Sequence, residues 1–239
     1  MMGSLAERMG LGPHELVAIV GAGGKSTILH ALGEELAGEG ARVVLTTTTM
    51  LAESQVTEPA CWSDVPSEIE ARLFPGVPLF VAAGRVPEKV TGPSTTAVDR
   101  IFVETSADYV IVEADGARHM SIKAPAEHEP VVPEAATTVI VTVGIDAIGR
   151  CISAVAHRPE RVAALAGLAV DDVLTVEGAA TVLVHPEGGL KSIPDSARVV
   201  MAITKVAPET RETAQRLSTV LGSHSSVSLT ITLPRAEDS

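Results

Sequence analysis

The stretch Leu16-Val17-Ala18-Ile19-Val20-Gly21-Ala22-Gly23-Gly24-Lys25-Ser26-Thr27 runs five apolar residues into a glycine turn, then into a lysine and two hydroxyls. A short apolar run rich in β-branched residues and closed by glycine reads as a buried strand. Gly21, Gly23 and Gly24 permit backbone angles that a Cβ opposes, so successive amide N–H groups can converge on an anion. The spacing that follows predicts a helix over 26–36, with Ile28, Leu29, Leu32 and Leu36 on one face. Its N-terminal dipole would favour the same anion.

Strand, glycine turn, Lys and Ser/Thr is the order of a phosphate-binding loop. Lys25 would reach the outer phosphates of a nucleoside triphosphate, and the Ser26 hydroxyl would be a Mg²⁺ ligand. Gly21, Ala22, Gly23, Gly24, Lys25, Ser26 and Thr27 are therefore the expected phosphate cradle. The spacing is shorter than the usual motif, because Ile19 stands where that motif has its first glycine. A plain strand-to-helix turn would explain the glycines but not the Lys-Ser-Thr after them.

Further apolar runs at 43–45, 79–82, 109–112, 138–143, 199–203 and 227–231 read as strands. Helical patterns lie between several of them, including 158–168 with Pro159 in its first turn. Alternation of this kind predicts an α/β fold: a three-layer, P-loop NTPase-like arrangement with a mostly parallel central sheet. Ligands would sit at the carboxyl ends of its strands. Residues 1–239 read as a single such domain, with a small helical insert or subdomain near 151–193 and a frayed end at 235–239.

Composition agrees. Hydrophobic residues make up 46% of 239, but aromatics only 2%, so the core must be built from Ala, Val, Leu and Ile. A net charge of -12 with scattered basic residues argues against nucleic acid as a partner. No apolar run is long enough for a bilayer and no signal-peptide pattern opens the chain, so no membrane partner and a cytoplasmic location are expected. Cys61 and Cys151 form no CxxC pair and read as buried free thiols.

Two more strand ends carry chemistry. The run Thr46-Thr47-Thr48-Thr49 follows the second strand, and the hydroxyls of Thr47 and Thr48 could hold Mg²⁺, a phosphate oxygen or an attacking water. Threonines also simply extend strands, and both readings stand. After the 109–112 strand come Glu113-Ala114-Asp115-Gly116, a Walker B-like pair of carboxylates. Glu113 is the first choice as metal ligand or water-orienting base and Asp115 the second, since hard oxygen ligands suit Mg²⁺.

In chain order GAGGKST, TTTT, EADGAR, IKAPAEHEP, HRPE and HPEGGLK resemble the YqeC family, over about 16–204. That family is described as accessory proteins of selenium-dependent molybdenum hydroxylases. The resemblance implies a nucleotide-dependent maturation factor, with the molybdenum cofactor or a molybdenum hydroxylase as partner. The phosphate-loop and acidic positions carry over as numbered above.

Within IKAPAEHEP, Lys123 could neutralise phosphate charge and His128 could move a proton near neutral pH. The same loop could instead be a rigid surface connection whose charges pair with each other. His157, Arg158, His185, Glu187 and Lys191 flank helices, and Arg158 suits either an anion contact or a helix cap; none is assigned to catalysis. After the 199–203 strand, Thr204-Lys205-Val206-Ala207 occupies the place of an NKxD guanine-reading motif, but Ala207 offers no carboxylate. ATP is thereby slightly favoured over GTP. Hydrolysis or phosphoryl transfer and a non-catalytic nucleotide switch both fit these residues. A Mur-ligase-like reading also shares the glycine loop and threonines, but no ligase-specific segment accompanies them.

Overall fold

A computed structural model describes residues 3–235; of the frayed end expected at 235–239, all but Arg235 lies outside the described residues. The main strands are β1 (Glu15–Gly21), β2 (Val43–Thr47), β3 (Ala60–Cys61), β4 (Leu79–Val81), β5 (Tyr109–Glu113), β6 (Thr138–Gly144), β7 (Arg198–Val206) and β8 (Leu229–Pro234). The helices are α1 (Leu5–Met9), α2 (Lys25–Gly38), α3 (Pro66–Glu70), α4 (Thr95–Glu104), α5 (Ile152–Val155), α6 (Pro159–Ala166), α7 (Val176–Val184) and α8 (Arg211–Gly222).

Among the described residues the eight strands form one sheet in the order β8-β7-β6-β1-β5-β2-β4-β3, every neighbour parallel. The β-branched runs explain this. A parallel sheet is covered on both faces, so its strands are apolar throughout rather than alternating with polar residues.

Successive side chains still point to opposite faces. Leu16, Ala18 and Val20 of β1, Val110 and Val112 of β5, and Val139 and Val141 of β6 enter one apolar cluster. Val17, Ile19, Ile111 and Ile140 enter the other. The second cluster is closed by α1 and α2, through Met9, Ile28, Leu29, Leu32 and Leu36. The first takes its cover from α3 to α8, including Ile101, Val162, Val182 and Leu217. The layers are therefore helix, sheet, helix.

The segment 151–193 holds α5, α6 and α7, as read, and its Ile152, Val162, Ala179 and Leu183 share the apolar cluster of the sheet. It also holds a two-residue strand that the sequence did not signal: Ala156–His157 pairs in parallel with Ile122–Lys123. Four other short strands carried no signal either. Strand β3 is only two residues long, and Met50–Ala52, Lys89–Thr91 and Gly84–Val86 form a separate antiparallel ribbon. Elements of two or three residues carry too little periodicity to read. Of the two cysteines Cys61 is buried as expected, whereas Cys151 is half-exposed at the N-cap of α5, where its thiol meets Asp171 O.

The strand order reverses at β1, whose two neighbours β5 and β6 lead to opposite halves of the sheet. Loops leaving their carboxyl ends diverge there and open a crevice. The Gly21 to Thr27 turn lies at its centre. Gly21 and Gly23 have φ of 94° and 80°, and a Cβ on Gly23 would come within 2.6 Å of Gly144 N, so only glycine fits this close approach to β6.

The two-sided packing makes a stability prediction. Ile111 is fully buried in a central strand, and Ile111→Ala should cost about 2–5 kcal/mol in urea unfolding. Val103 on α4 is 75% exposed, and Val103→Ala should stay within about 0.5 kcal/mol. Equal losses would contradict the layer assignment.

Candidate functional site

The carboxyl ends of the strands border a cavity of about 920 Å³, within the usual range for small-molecule sites. Gly23, Gly24, Lys25, Ser26 and Thr27 line it, together with Glu113. The first hydrogen bond of α2 is Ile28 N to Gly24 O at 3.0 Å. The N–H groups of Lys25, Ser26 and Thr27 therefore precede the helical ladder, as the first turn of any helix requires. The two earlier residues are used otherwise. Gly21 N donates to Asp115 Oδ2 at 3.1 Å and Ala22 N to Thr142 O at 3.0 Å, so both anchor the turn. Thr204 Oγ1 at the end of β7 donates to Gly23 O and braces the other side.

The side chains beneath the turn form a chain of alternating charge. Ser26 Oγ donates to Glu113 Oε2 at 2.8 Å. Lys25 Nζ lies 3.8 Å from Glu113 Oε1 and 3.3 Å from Asp115 Oδ1, and donates to Gly21 O at 2.9 Å. Lys123 Nζ joins Asp115 Oδ2 at 2.9 Å to Glu129 Oε2 at 2.8 Å, and donates to Gly116 O at 2.7 Å. Arg158 closes the row with a bidentate clamp on Glu129, at 2.9 and 3.0 Å.

The distances separate the two lysines. Lys123 has three short partners, two hydrogen-bond acceptors and the Asp115 carboxylate as an ion pair at 2.9 Å. Lys25 makes one short hydrogen bond and two longer ion pairs, and Asp115 Oδ1 accepts no well-formed hydrogen bond from it. Lys25 lines the cavity and is the cation free to turn toward an incoming anion. Lys123 does not line it, and acts by fixing Asp115 and Glu129.

Electrostatics follow from burial. Burial pushes the Glu113 carboxyl up, against the opposing influence of Lys25 and the Ser26 hydrogen bond. Burial would raise Glu129 too, but the Arg158 and Lys123 hydrogen bonds and charges outweigh it and hold this group at about 2. Burial, then the neighbouring Arg158 and Lys123, pushes His157 down, so its imidazole is neutral at pH 7.

The threonine run is placed differently from its expected ligand role. Thr47 Oγ1 donates to Glu113 O at 2.8 Å and Thr48 Oγ1 to Val131 O at 2.6 Å, and neither residue lines the cavity. Their hydroxyls pin β2 to its neighbours. Asp115 is 2% exposed and likewise lies beneath the cavity wall, whereas His128 lines it.

Several lining residues carried no assignment in the sequence. Gln55 Nε2 donates to Ser26 Oγ at 2.9 Å. Lys89, Arg118, His119 and Lys205 reach the cavity from the ribbon and from strand-end loops. Arg118 lies within the quoted EADGAR, and His157 and Arg158 within HRPE, but nothing local marks them as facing one space. Arg158 does cap α6, through its backbone at φ 65° rather than its side chain. HPEGGLK also finds a role: Lys191 Nζ donates to Ala126 O at 2.7 Å and Glu127 O at 3.0 Å, holding the IKAPAEHEP loop.

Residues 17–160 match the family described as YqeC protein. The chain belongs to the YqeC family. It is 32% identical over 193 residues to a protein of Escherichia coli (strain K12) named Uncharacterized protein YqeC, covering 80% of this chain and 75% of that relative. No solved structure matches it significantly. The YqeC match includes the glycine turn, both acidic residues and the whole charge row as far as Arg158; Thr204 and Lys205 lie beyond it.

The depressed Glu129 gives a pH prediction. Its folded value, about 2 against an ordinary 4.5, contributes stability above pH 4.5 that is lost as pH falls toward 2. Allowing for solvent screening of the half-buried Arg158, this limb should amount to about 2 kcal/mol. Glu129→Gln should flatten it and lower stability at pH 7 by about 3 kcal/mol, because Lys123 and Arg158 lose their shared partner. Urea unfolding from pH 7 to pH 2 measures both effects, and an unchanged slope would refute the assignment.

Proposed function

We propose that the chain binds a nucleoside triphosphate with Mg²⁺ and hydrolyses it or transfers its terminal phosphoryl group. The observation that carries this reading is the free N–H array at the start of α2 beside the loosely held Lys25 and the Ser26–Glu113 pair. Such amides hold phosphate oxygens through aligned dipoles. The cavity supplies Lys25, Lys89, Arg118, Arg158 and Lys205 against Glu113 and Glu129, a positive lining in a chain of net charge -12. That local sign favours a polyanion.

The donor set suits magnesium. Among the described residues no group of three or more His, Cys, Asp or Glu could hold a metal alone. Mg²⁺ needs no such cage, since it binds through one or two protein oxygens with phosphate and water completing the shell. Ser26 and Glu113 would hold it, and when bound it would neutralise charge on the outer phosphates. Gln55 orients the Ser26 oxygen by donating to it. In the alternative role, with Ser26 holding the ion, Glu113, its carboxyl raised by burial, is suited to accept a proton from an attacking hydroxyl or water. ATP is favoured over GTP because Ala207 lacks the carboxylate that reads guanine.

Family resemblance supports a molybdenum hydroxylase or its cofactor as the client. A second reading, a nucleotide-dependent switch, draws support from the ribbon: Met50, Leu51 and Lys89 line the cavity, and Met50 is 59% exposed there. Ligand-driven ordering of that ribbon would change how much of this apolar cavity edge is open to a partner.

Calorimetry with Mg-ATP and Mg-GTP should show binding by the unaltered chain, with ATP preferred. Lys25→Ala should weaken it about 100-fold, roughly 2.7 kcal/mol. Neither nucleotide binding would sink the proposal. In phosphate-release assays with molybdenum-cofactor precursors, Glu113→Gln should slow turnover at least about 100-fold. Release absent in every mixture, with client affinity that still changes on nucleotide binding, would select the switch.

A further inference from the structure

The cavity holds more recognition chemistry than a triphosphate at the glycine turn uses. Among the described residues, non-glycine positions with positive φ are Glu88, Arg118, His119, Arg158, Ser192 and Lys205. Four of these six line the cavity: Arg118 at φ 49°, His119 at 61°, Arg158 at 65° and Lys205 at 58°. Such a conformation is strained for a side chain with a Cβ and persists only where its surroundings enforce it. Here it is concentrated on basic side chains that face one space.

The support for these residues is built in. Arg158 is locked on Glu129 through two nitrogens, and Lys123 holds Glu129 from behind. The pairing of Ala156–His157 with Ile122–Lys123 sets His157 and Arg158 beside the IKAPAEHEP loop. By contrast, Arg118, His119 and His128 make no side-chain hydrogen bond or ion pair among the described residues. Arg118 is close enough to add to the depression of His157 by burial, Arg158 and Lys123. The result is two guanidinium groups and three imidazoles lining one end of the charge row, where Glu129 is already paired with Lys123 and Arg158.

We infer that Arg118, His119, His128, His157 and Arg158 form a second subsite, distinct from the glycine turn, that binds the oxyanion of a small acceptor substrate. The Arg118 guanidinium presents paired donors that match the oxygens of a carboxylate or phosphate, and Arg158, whose own fork is committed to Glu129, adds its charge beside it. A neutral imidazole can donate from one nitrogen and accept at the other, which suits an acceptor that also carries a hydroxyl. The inference rests on the nucleotide reading only for the identity of the co-substrate; the subsite itself rests on residues outside the glycine turn.

The test uses inorganic phosphate as probe, followed by calorimetry and ³¹P line-broadening on the full chain. It is titrated into the unaltered protein saturated with a non-hydrolysable ATP analogue and Mg²⁺, into Lys25→Ala, and into Arg118→Gln in both backgrounds. The expected result is phosphate binding to the analogue-saturated protein and to Lys25→Ala alike. Arg118→Gln should weaken it at least tenfold while changing analogue affinity less than threefold. Arg118 is exposed and unpaired, so its loss leaves the fold intact. Complete displacement of phosphate by the analogue, or an equal loss of both affinities in Arg118→Gln, would assign these cations to the nucleotide's own phosphates and overturn the inference. No phosphate binding in any background would also overturn it. If the chain binds no nucleotide but phosphate binding to Lys25→Ala still depends on Arg118, the subsite stands and the nucleotide reading fails.

Discussion

The site depends on one constraint: six buried or half-buried charges must alternate in sign. Glu113, Lys25, Asp115, Lys123, Glu129 and Arg158 form a row in which Asp115 and Glu129 each lie between two cations and Glu113 ends the row on Lys25, with separations of 2.8 to 3.8 Å. A buried charge without a partner costs several kcal/mol, so no member can be removed without stranding its neighbours. The glycine turn, the β5 strand end, the 122–130 loop and the start of α6 each contribute to this row. Their relative positions are therefore fixed jointly, although they are far apart in sequence.

The sheet explains why those four segments can meet. Strand β1 sits between β5 and β6, and the chain turns to opposite halves of the sheet on either side of it. Parallel strands deliver all their carboxyl ends to one edge, so the turn after β1, the acids after β5 and the bracing residues of β6 and β7 arrive together. The unequal helical layers matter as well. Helices α1 and α2 cover one face, whereas α3 to α8 cover the other and bring HRPE and HPEGGLK to the same edge. Lys191 then ties the second of these motifs to the 122–130 loop.

Unequal tightness within the row gives it a direction. Lys123 is held within 2.9 Å of all three of its partners and behaves as structure, while both carboxylate partners of Lys25 lie 3.3 Å or more away at the cavity wall. An anion arriving at the α2 N-terminus would compete for Lys25 against its two longer ion pairs. It would leave Glu113 and Asp115 short of positive charge, a deficit that a cation at Ser26 and Glu113 would offset. Anion and cation binding would therefore favour each other through the same side chains. The proposed phosphate chemistry and the acceptor subsite lie at the two ends of this row.

The sequence by itself determined the seven longer strands, the amphipathic α2, the glycine turn and the acidic strand end. All of these are local patterns: period, β-branching, and glycine where a positive φ is needed. It also marked 122–130 and 157–160 as chemically unusual. Only the tertiary structure decided what these residues do. That Lys123 is a buried brace, that the Thr47 and Thr48 hydroxyls are committed to main-chain carbonyls, and that Arg118 joins His157 and Arg158 at one cavity are products of long-range packing. So are the left-handed angles at Arg118, His119, Arg158 and Lys205, which those residue types do not favour and which only their surroundings can impose. Periodicity records which face of an element is buried; it does not record which strand ends a parallel sheet brings together.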